Sequence, residues 1–189
     1  MRIVAGRFRG KQLNSPKDQS IRPTSDRVRE SVFNIVASRV GPSFEGLYVL
    51  DLFAGTGAMG LEALSRGATH TIFVDMGAEA RGLIRGHIEG FGLGGQSRLL
   101  RRDATDMGPA GNQKPADLVF CDPPYGKGLG EKALLSALAG GWIALGALIV
   151  LEERKGAVFN PGDDFEIIDQ RDYGDTTIFL IQPSSRVSA

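Results

Sequence analysis

Residues 47–60 read Leu47-Tyr48-Val49-Leu50-Asp51-Leu52-Phe53-Ala54-Gly55-Thr56-Gly57-Ala58-Met59-Gly60. The apolar first half has the length of a buried strand. The second half carries the GxGxxG spacing, and Leu61–Arg66 continue as a predicted helix that Gly67 ends. A strand, a glycine loop and a helix in this order predict one unit of an α/β fold, with a ligand held at the loop.

The chain on either side continues the alternation of strands and helices. A helix is predicted from an N-cap at Thr24 or Ser25 to Val40. Further strands and helices are predicted at Thr71–Val74, 77–91, Ser97–Arg102, 116–122, Leu129–Leu138 and Ala147–Glu153. This spacing is typical of a parallel, doubly wound sheet. Two final strands, Phe165–Arg171 and Thr176–Gln182, break the alternation and predict a closing antiparallel hairpin.

The predicted helix at 77–91 is unusually rich in glycine. Gly82, Gly86 and Gly90 fall four residues apart, and each costs up to about 1 kcal/mol relative to alanine. We expect these glycines to let the helix pack closely on the sheet. The register of this helix stays open at the level of sequence.

The first 23 residues are predicted to form an extension in front of the main domain, residues 24–183. Arg2–Ala5 and Lys11–Asn14 read as extended pieces of a hairpin with Arg7, Phe8 and Arg9 at its tip. Two cations and a ring suit nucleic acid. Arg27 and Arg29 follow on the first helix, off its apolar stripe, and are expected to face phosphate or water. Residues 184–189 are predicted to be a disordered tail.

The net charge is zero, but the charged residues are unevenly distributed along the chain. Residues 1–30 carry eight basic and three acidic groups, which leaves 14 basic and 19 acidic groups in the remainder. A basic end on an acidic body favours a segment that binds a polyanion, although a solvated charged face has the same composition.

Composition excludes several classes of protein. A single cysteine, Cys121, excludes an intramolecular disulfide framework and fits a reducing compartment. The N-terminus lacks an apolar signal core, and the longest apolar run, Trp142 to Leu151, is too short to span a bilayer. We expect a cytoplasmic protein. His70 and His87 are expected to lie away from the ligand loops, without a metal or general-base role.

Three carboxylates at predicted strand ends indicate which ligand the glycine loop holds. Asp51 precedes the loop, where a pyrophosphate would meet an unfavourable like charge. A ligand with both an ammonium and a carboxylate fits better, because the helix N-terminus favours the carboxylate. S-adenosylmethionine has both groups, together with a ribose for Asp75 and an adenine amine for Asp103.

The second motif is Asp122-Pro123-Pro124-Tyr125, directly after a predicted buried strand. Two prolines stiffen the chain and leave carbonyl acceptors without donors. A carboxylate and carbonyls accept hydrogen bonds from an amine, and Tyr125 can stack on a planar ring. These four residues suit a nucleobase with an exocyclic amine, although a rigid turn with a packed Tyr125 is an equal alternative on the motif alone.

Two alternative interpretations, each a different class of protein, remain open. The glycine loop with Asp75 also favours an NAD(P) oxidoreductase, which Asp51 and residues 122–125 disfavour. The basic N-terminus alone would also suit a noncatalytic RNA-binding protein.

Taken together, these motifs resemble the Rossmann-like methyltransferases that carry an Asp/Asn-Pro-Pro-Tyr/Phe motif and methylate amino or amide nitrogens. The chain is most similar to the bacterial family that methylates N2 of guanine 966 in 16S ribosomal RNA. That similarity covers about residues 1–183 and rests on Arg2–Gly6, Arg9–Lys11, Arg22–Thr24 with Asp26–Glu30, Asp51–Gly57, Leu61–Gly67 and Asp122–Tyr125. It implies a class I methyltransferase fold with a mostly parallel, seven-stranded sheet, a C-terminal antiparallel hairpin and a small N-terminal β-hairpin.

The resemblance implies a role for each matching position. The cofactor, S-adenosyl-L-methionine, is expected at Asp51, Phe53, Gly55, Thr56, Gly57, Asp75, Met76, Asp103 and Ala104. The guanine is expected at Asp122, Pro123 and Tyr125. RNA is expected to contact Arg2, Arg7, Arg9, Lys11, Arg22, Thr24, Arg27 and Pro124.

The expected reaction is in-line transfer of the methyl group to the guanine amine. A sulfonium provides the leaving group, so neither a metal nor a covalent enzyme intermediate is required. The target base must be unpaired or flipped out of its stack. The expected partner is small-subunit rRNA or an assembling 30S particle, bound by a monomer. Other substrates of this class, DNA adenine-N6 or a different rRNA base, stay open as alternatives.

Overall fold

Seven strands run side by side through the computed structural model, which describes residues 1–17 and 24–187. Arg22 and residues 188–189 lie outside the described residues. The sheet order is β3-β2-β1-β4-β5-β7-β6. The strands are β1 (Tyr48–Leu52), β2 (His70–Val74), β3 (Ser97–Leu100), β4 (Ala116–Cys121), β5 (Ile143–Arg154), β6 (Phe165–Tyr173) and β7 (Thr176–Pro183).

The direction of the strands confirms the predicted fold class. Pairing is parallel from β3 through β5, and β7 runs antiparallel to both β5 and β6. The carboxyl ends of β1, β2 and β4 therefore lie along one edge, where open α/β sheets bind their ligands.

Helices cover both faces of this sheet. They are α1 (Asp26–Val40), α2 (Ala58–Ser65), α3 (Ala78–Gly90) and α4 (Leu129–Ala139). The first three pack on one face and α4 on the other, each over its own apolar layer. Strand side chains alternate between the layers, with Val49 in the first and Leu50 in the second. Ser25 caps α1 by accepting from the Val28 N–H, as predicted.

The glycines of α3 do not contact the sheet, so our expectation of close packing was wrong. The buried residues of α3 are Ala80, Ile84 and His87, which also settles the register of the helix. A Cβ added at Gly82 or Gly86 would meet no atom within 4 Å. Both positions face solvent.

The predicted N-terminal hairpin contains an antiparallel bridge between Arg2 and Gln12, and further backbone hydrogen bonds join its two arms. Residues 1–17, called here the N-terminal segment, depend on the body of the protein for their position. Ile3 and Leu13 are buried in the core layer beneath α1 and α2. Gly6 lies so close to the end of α2 that a Cβ would come 1.9 Å from the Ser65 carbonyl oxygen. Only glycine fits this approach.

A buried carboxylate, Glu62 of α2, joins the N-terminal segment to α1. Its two oxygens accept from the backbone N–H groups of Val4 (2.8 Å) and Ala5 (2.9 Å). The Arg66 Nε donates to it at 2.9 Å, and the Arg29 Nε lies 3.7 Å away. Arg29 is fully buried and also bonds to Asp26 and the Arg2 carbonyl, so it does not face phosphate or water as expected. Burial of this pair is tolerated because each charge has several partners.

Replacing the exposed glycines of α3 should stabilise the protein. We expect Gly82→Ala and Gly86→Ala each to raise the free energy of unfolding by about 0.5–1 kcal/mol, because alanine loses less backbone entropy in a helix. Urea denaturation followed by circular dichroism measures the change.

The matched control is Gly60→Ala in α2, where the new methyl would lie 2.4 Å from Phe73 and 2.8 Å from Thr71. This variant should lose stability. A loss of stability in both α3 variants would show that their glycines pack against something.

Candidate active site

A cleft of about 400 Å³ opens at the carboxyl ends of β1, β2 and β4. Its volume falls in the range of small-molecule sites. The structure brings both predicted motifs to it, the glycine loop on one side and residues 122–125 on the other. The lining residues are Thr24, Asp51, Phe53, Ala54, Gly55, Thr56, Ala58, Met59, Asp75, Asp122, Pro123, Pro124 and Tyr125.

The glycine loop turns sharply from β1 into α2. Phe53 has a φ of 55°, the one positive value outside glycine in the described chain. Gly57 caps α2 with a φ of 77°, and a Cβ there would come 3.0 Å from Ile84. A left-handed conformation and close packing together require glycine at this position. The loop thereby exposes the N-terminus of α2 to the cleft.

Asp51 is almost completely buried beneath the loop, with 3% of its surface exposed. One oxygen accepts the Gly60 N–H at 3.0 Å. Burial raises the pKa of Asp51 to about 8, and the nearby Asp75 charge adds to the rise, while the Gly60 bond opposes it. A buried carboxyl of this kind is suited to a ligand cation, which would favour the ionised form.

Asp75 connects the glycine loop to the start of α3. Its two carboxylate oxygens accept from the Gly55 N–H at 2.9 Å and the Gly77 N–H at 2.7 Å. Each oxygen keeps a further lone pair for a ligand hydroxyl. This carboxylate therefore both shapes the loop and faces the cleft.

Residues 122–125 form the opposite wall. Asp122 follows β4 directly, and its N–H donates to the Leu52 carbonyl at 3.4 Å. Pro123 is buried, whereas Pro124 is exposed at the rim. The Tyr125 hydroxyl donates to Glu152 at 2.7 Å and lies 3.3 Å from Thr176 Oγ1. Burial and the neighbouring carboxylate raise the pKa of Tyr125 far above its usual value, so the phenol stays neutral. The contacts with Glu152 and Thr176 hold the hydroxyl and therefore orient the ring.

Four of the predicted cofactor residues do not line the cleft, and their contacts with a cofactor stay predictions. Gly57, the N-cap of α2, is buried, Met76 is 54% exposed, and Ala104 belongs to the core on the α4 face. Asp103 stands three residues beyond the end of β3 and accepts from the Thr105 N–H and hydroxyl at 2.8 and 2.7 Å. These bonds lower its pKa.

The residues predicted to contact RNA fall into separate groups. Thr24 and Pro124 line the cleft. Arg2 and Arg27 are exposed near the start of α1, where Arg2 pairs with Asp26 at 3.6 Å. Arg22 is not among the described residues. The third group consists of Arg7, Arg9 and Lys11, at the tip of the N-terminal segment.

This third group lies well away from the cleft. The Arg7 N–H donates to Ser65, the last residue of α2, whereas Ala58 at the first position of α2 lines the cleft. A helix of this length rises about 12 Å. At the tip, Phe8 stacks on Phe91 with ring centroids 5.1 Å apart. Lys11 lies over both rings, at 5.2 and 5.0 Å.

Two functional positions were missed by the sequence analysis. Glu152, at the end of β5, holds Tyr125 through one oxygen and accepts from the Thr24 hydroxyl at 3.2 Å through the other. Its only sequence signal was a carboxylate at a fifth strand end. His87 was expected to lie away from the ligand loops, which was wrong, because its Nδ1 is 3.1 Å from the Thr56 carbonyl oxygen.

The described part of the chain contains neither a candidate metal site nor a candidate membrane span. Among residues 1–17 and 24–187, no three His, Cys, Asp or Glu side chains come together as a potential metal site. In the same ranges, no helix is long and apolar enough to cross a membrane.

The sheet order, the strand directions and the cleft at the carboxyl edge define a class I methyltransferase fold. The chain belongs to the family described as Conserved hypothetical protein 95, whose model matches residues 1–182. The relatives of this chain include Ribosomal RNA small subunit methyltransferase D, so the family predicted from the sequence is confirmed.

Three similar proteins illustrate the relationship. Ribosomal RNA small subunit methyltransferase D of Escherichia coli K12 is 37% identical over 154 residues, 80% of this chain and 74% of that protein. YlbH of Bacillus subtilis, provisionally named an rRNA methyltransferase, is 39% identical over 140 residues, 73% of each chain. The solved structure of Escherichia coli yhhF, provisionally a methyltransferase, superposes with a TM-score of 0.81 at 29% identity, covering 98% of this chain and 99% of that one.

Asp51 should make the stability of the ligand-free protein depend on pH. Its folded pKa, about 8, lies above the ordinary 3.8, so its contribution to stability is complete below about pH 4 and is lost as pH rises through 8. Asp51→Asn removes this loss. We expect the free energy of unfolding of the variant to exceed that of the original protein by about 1–3 kcal/mol at pH 8.5 and by much less at pH 5.

Thermal and urea unfolding between pH 5 and 8.5 measure this difference. The same change at the exposed Asp106 is the control, and it should keep the original pH dependence. If the free energy of unfolding changed equally with pH in Asp51→Asn and in the original protein, the raised pKa of Asp51 would be contradicted.

Proposed function

We propose that this protein transfers the methyl group of S-adenosylmethionine to the exocyclic N2 amine of a guanine in small-subunit (16S) rRNA. The observation that carries the proposal is the meeting of two motifs across one cleft. The glycine loop with Asp51 and Asp75 forms one wall, and Asp122, Pro123 and Tyr125 form the other. The name of the Escherichia coli relative supports small-subunit rRNA as the substrate.

The loop side of the cleft fits the amino acid and ribose parts of the cofactor. Asp51 is buried and accepts a hydrogen bond from the Gly60 N–H, and a ligand ammonium would stabilise its ionised form. The N-terminus of α2 favours a ligand carboxylate. The remaining lone pairs of Asp75 suit ribose hydroxyls. When bound, the sulfonium supplies an activated methyl group and a neutral leaving group.

The opposite wall fits a planar base with an amine. The Asp122 carboxylate and the Pro123 carbonyl oxygen can accept the two hydrogens of a guanine N2 amine. Glu152 and Thr176 lock the Tyr125 hydroxyl, so the ring offers a fixed surface for stacking. Because the cleft is about 400 Å³, the base must leave its stack to enter.

The two walls would promote transfer by alignment and electrostatics. The guanine amine is a poor nucleophile because its lone pair is delocalised into the ring. Two acceptors at Asp122 and Pro123 would orient that lone pair toward the methyl group. Alignment contributes several kcal/mol, and the Asp122 charge would stabilise positive charge developing on nitrogen.

RNA contacts would extend beyond the target nucleotide. Arg7, Arg9 and Lys11 lie at the far end of α2, about 12 Å from its first residue. They would bind a different part of the rRNA from the guanine in the cleft. Thr24 and Pro124, at the rim, would contact the neighbours of the flipped base.

Tritium transfer from labelled S-adenosylmethionine tests the proposal. The substrates are naked 16S rRNA and assembling 30S particles from cells that lack the enzyme, with adenine-containing DNA as comparison. We expect label in rRNA, and mass mapping should place it as N2-methylguanosine at the guanine equivalent to 966. Label only in DNA, or an unchanged guanine in cells lacking the protein, would refute the substrate.

Asp122 and Asp75 should have separable roles. We expect Asp122→Ala to keep the affinity for S-adenosylhomocysteine within about threefold while turnover falls about 100-fold or more. Asp75→Ala should weaken that affinity by about tenfold or more, because it removes a cofactor contact and two loop bonds. Calorimetry and single-turnover methylation measure the two quantities.

Asp106→Ala serves as the control for this pair, since Asp106 is exposed and outside the cleft. It should change neither quantity. Equal losses of affinity in Asp122→Ala and Asp75→Ala would contradict the division of roles.

A further inference from the structure

His87 of α3 stands between the cofactor loop and the N-terminal segment. The side chain is 3% exposed. Its Nδ1 lies 3.1 Å from the Thr56 carbonyl oxygen, and its Nε2 accepts the backbone N–H of Asn14 at 2.9 Å. Thr56 lines the cleft, whereas Asn14 belongs to the N-terminal segment.

These two partners determine the protonation of the ring. The Asn14 N–H is a donor, so Nε2 must carry a lone pair. The Thr56 carbonyl is an acceptor, so Nδ1 must carry the proton. His87 is therefore neutral in one tautomer, consistent with burial lowering its pKa. In this tautomer the ring donates one hydrogen bond through Nδ1 and accepts another at Nε2.

A second contact joins the same two regions. The Thr56 hydroxyl reaches the Met1 sulfur at 3.9 Å, and the Leu13 N–H donates to the Met1 carbonyl oxygen at 2.9 Å. The N-terminal segment thus holds Thr56 from both its main chain, through His87, and its side chain. Its part near Met1 and Asn14 lies against the glycine loop, while its tip lies at the end of α2.

We infer that His87 is a positioning residue through which the N-terminal segment holds the cofactor loop in its binding conformation. The inference rests on the proposed function, because it assigns the cofactor to this loop. His87 orients the Thr56–Gly57 peptide next to the N-terminus of α2. Order in the N-terminal segment and affinity at the loop are then linked, and the linkage is reciprocal.

The side chain of glutamine can replace both bonds, since its NH2 group can donate and its carbonyl oxygen can accept, whereas leucine can replace neither. We expect His87→Gln to bind S-adenosylhomocysteine within about threefold of the original protein. His87→Leu should bind about tenfold more weakly, the loss expected when a buried carbonyl loses its donor. Asn14→Ala is the matched control and should bind normally, because Asn14 donates through its backbone.

Calorimetry measures these affinities, and hydrogen exchange of the Asn14 amide measures the linkage. S-adenosylhomocysteine should slow that exchange in the original protein and in His87→Gln, but not in His87→Leu. A residue that only fills the core would leave the exchange response unchanged in His87→Leu. That result, or normal affinity in His87→Leu, would overturn the inference.

A measurement on the original protein covers the case in which His87→Leu fails to fold. Nitrogen-15 NMR of the imidazole should show the proton on Nδ1, and a proton on Nε2 would overturn the inference. Failure of the proposed function is distinguishable, since it would appear as absent S-adenosylhomocysteine binding or absent methyl transfer in the original protein.

Discussion

The placement of the N-terminal segment and α1 depends on one buried carboxylate, Glu62. Glu62 is fully buried, so its charge is tolerated only because close partners surround it. It accepts hydrogen bonds from the backbone N–H groups of Val4 and Ala5 and from the Arg66 guanidinium. Arg29, equally buried, brings α1 to the same point. Because Glu62 lies on the helix that begins at the glycine loop, this charge cluster fixes the N-terminal segment and α1 relative to the cleft.

Although the net charge is zero, acidic and basic side chains are concentrated on two different surfaces. Three carboxylates converge on the cleft, since Asp51, Asp75 and Asp122 are all among its lining residues. Such an acidic interior suits a sulfonium, an ammonium and an amine, and it would repel phosphate. The exposed cations of the N-terminal segment lie at the other end of α2, where in the proposed function they would hold an RNA backbone outside the acidic cleft.

Residues 122–125 show how a local motif depends on distant support. The two prolines stiffen the chain after β4, but the direction of the Tyr125 ring is set by Glu152 of β5 and Thr176 of β7. The antiparallel hairpin that closes the sheet therefore also holds the wall of the cleft formed by residues 122–125. Thr24 joins the same carboxylate from the other side, so Glu152 connects the start of α1 to that wall.

The family was predicted from the resemblance of several motifs, whereas local patterns determined the strands, the helices and the glycine loop, because apolar periodicity and glycine or proline constraints act between near neighbours. They also indicated Asp51, Asp75 and Asp122, since carboxyl ends of parallel strands share one edge. Only the tertiary structure decided that Arg29 is buried, that the glycines of α3 face solvent and that His87 supports Thr56. The Arg29 guanidinium lies against Glu62, 33 positions along the chain, and the His87 ring lies against Thr56, 31 positions away, whereas a Cβ at Gly82 or Gly86 would meet no atom within 4 Å. Sequence spacing carries no record of which distant residue packs, or does not pack, at a given position.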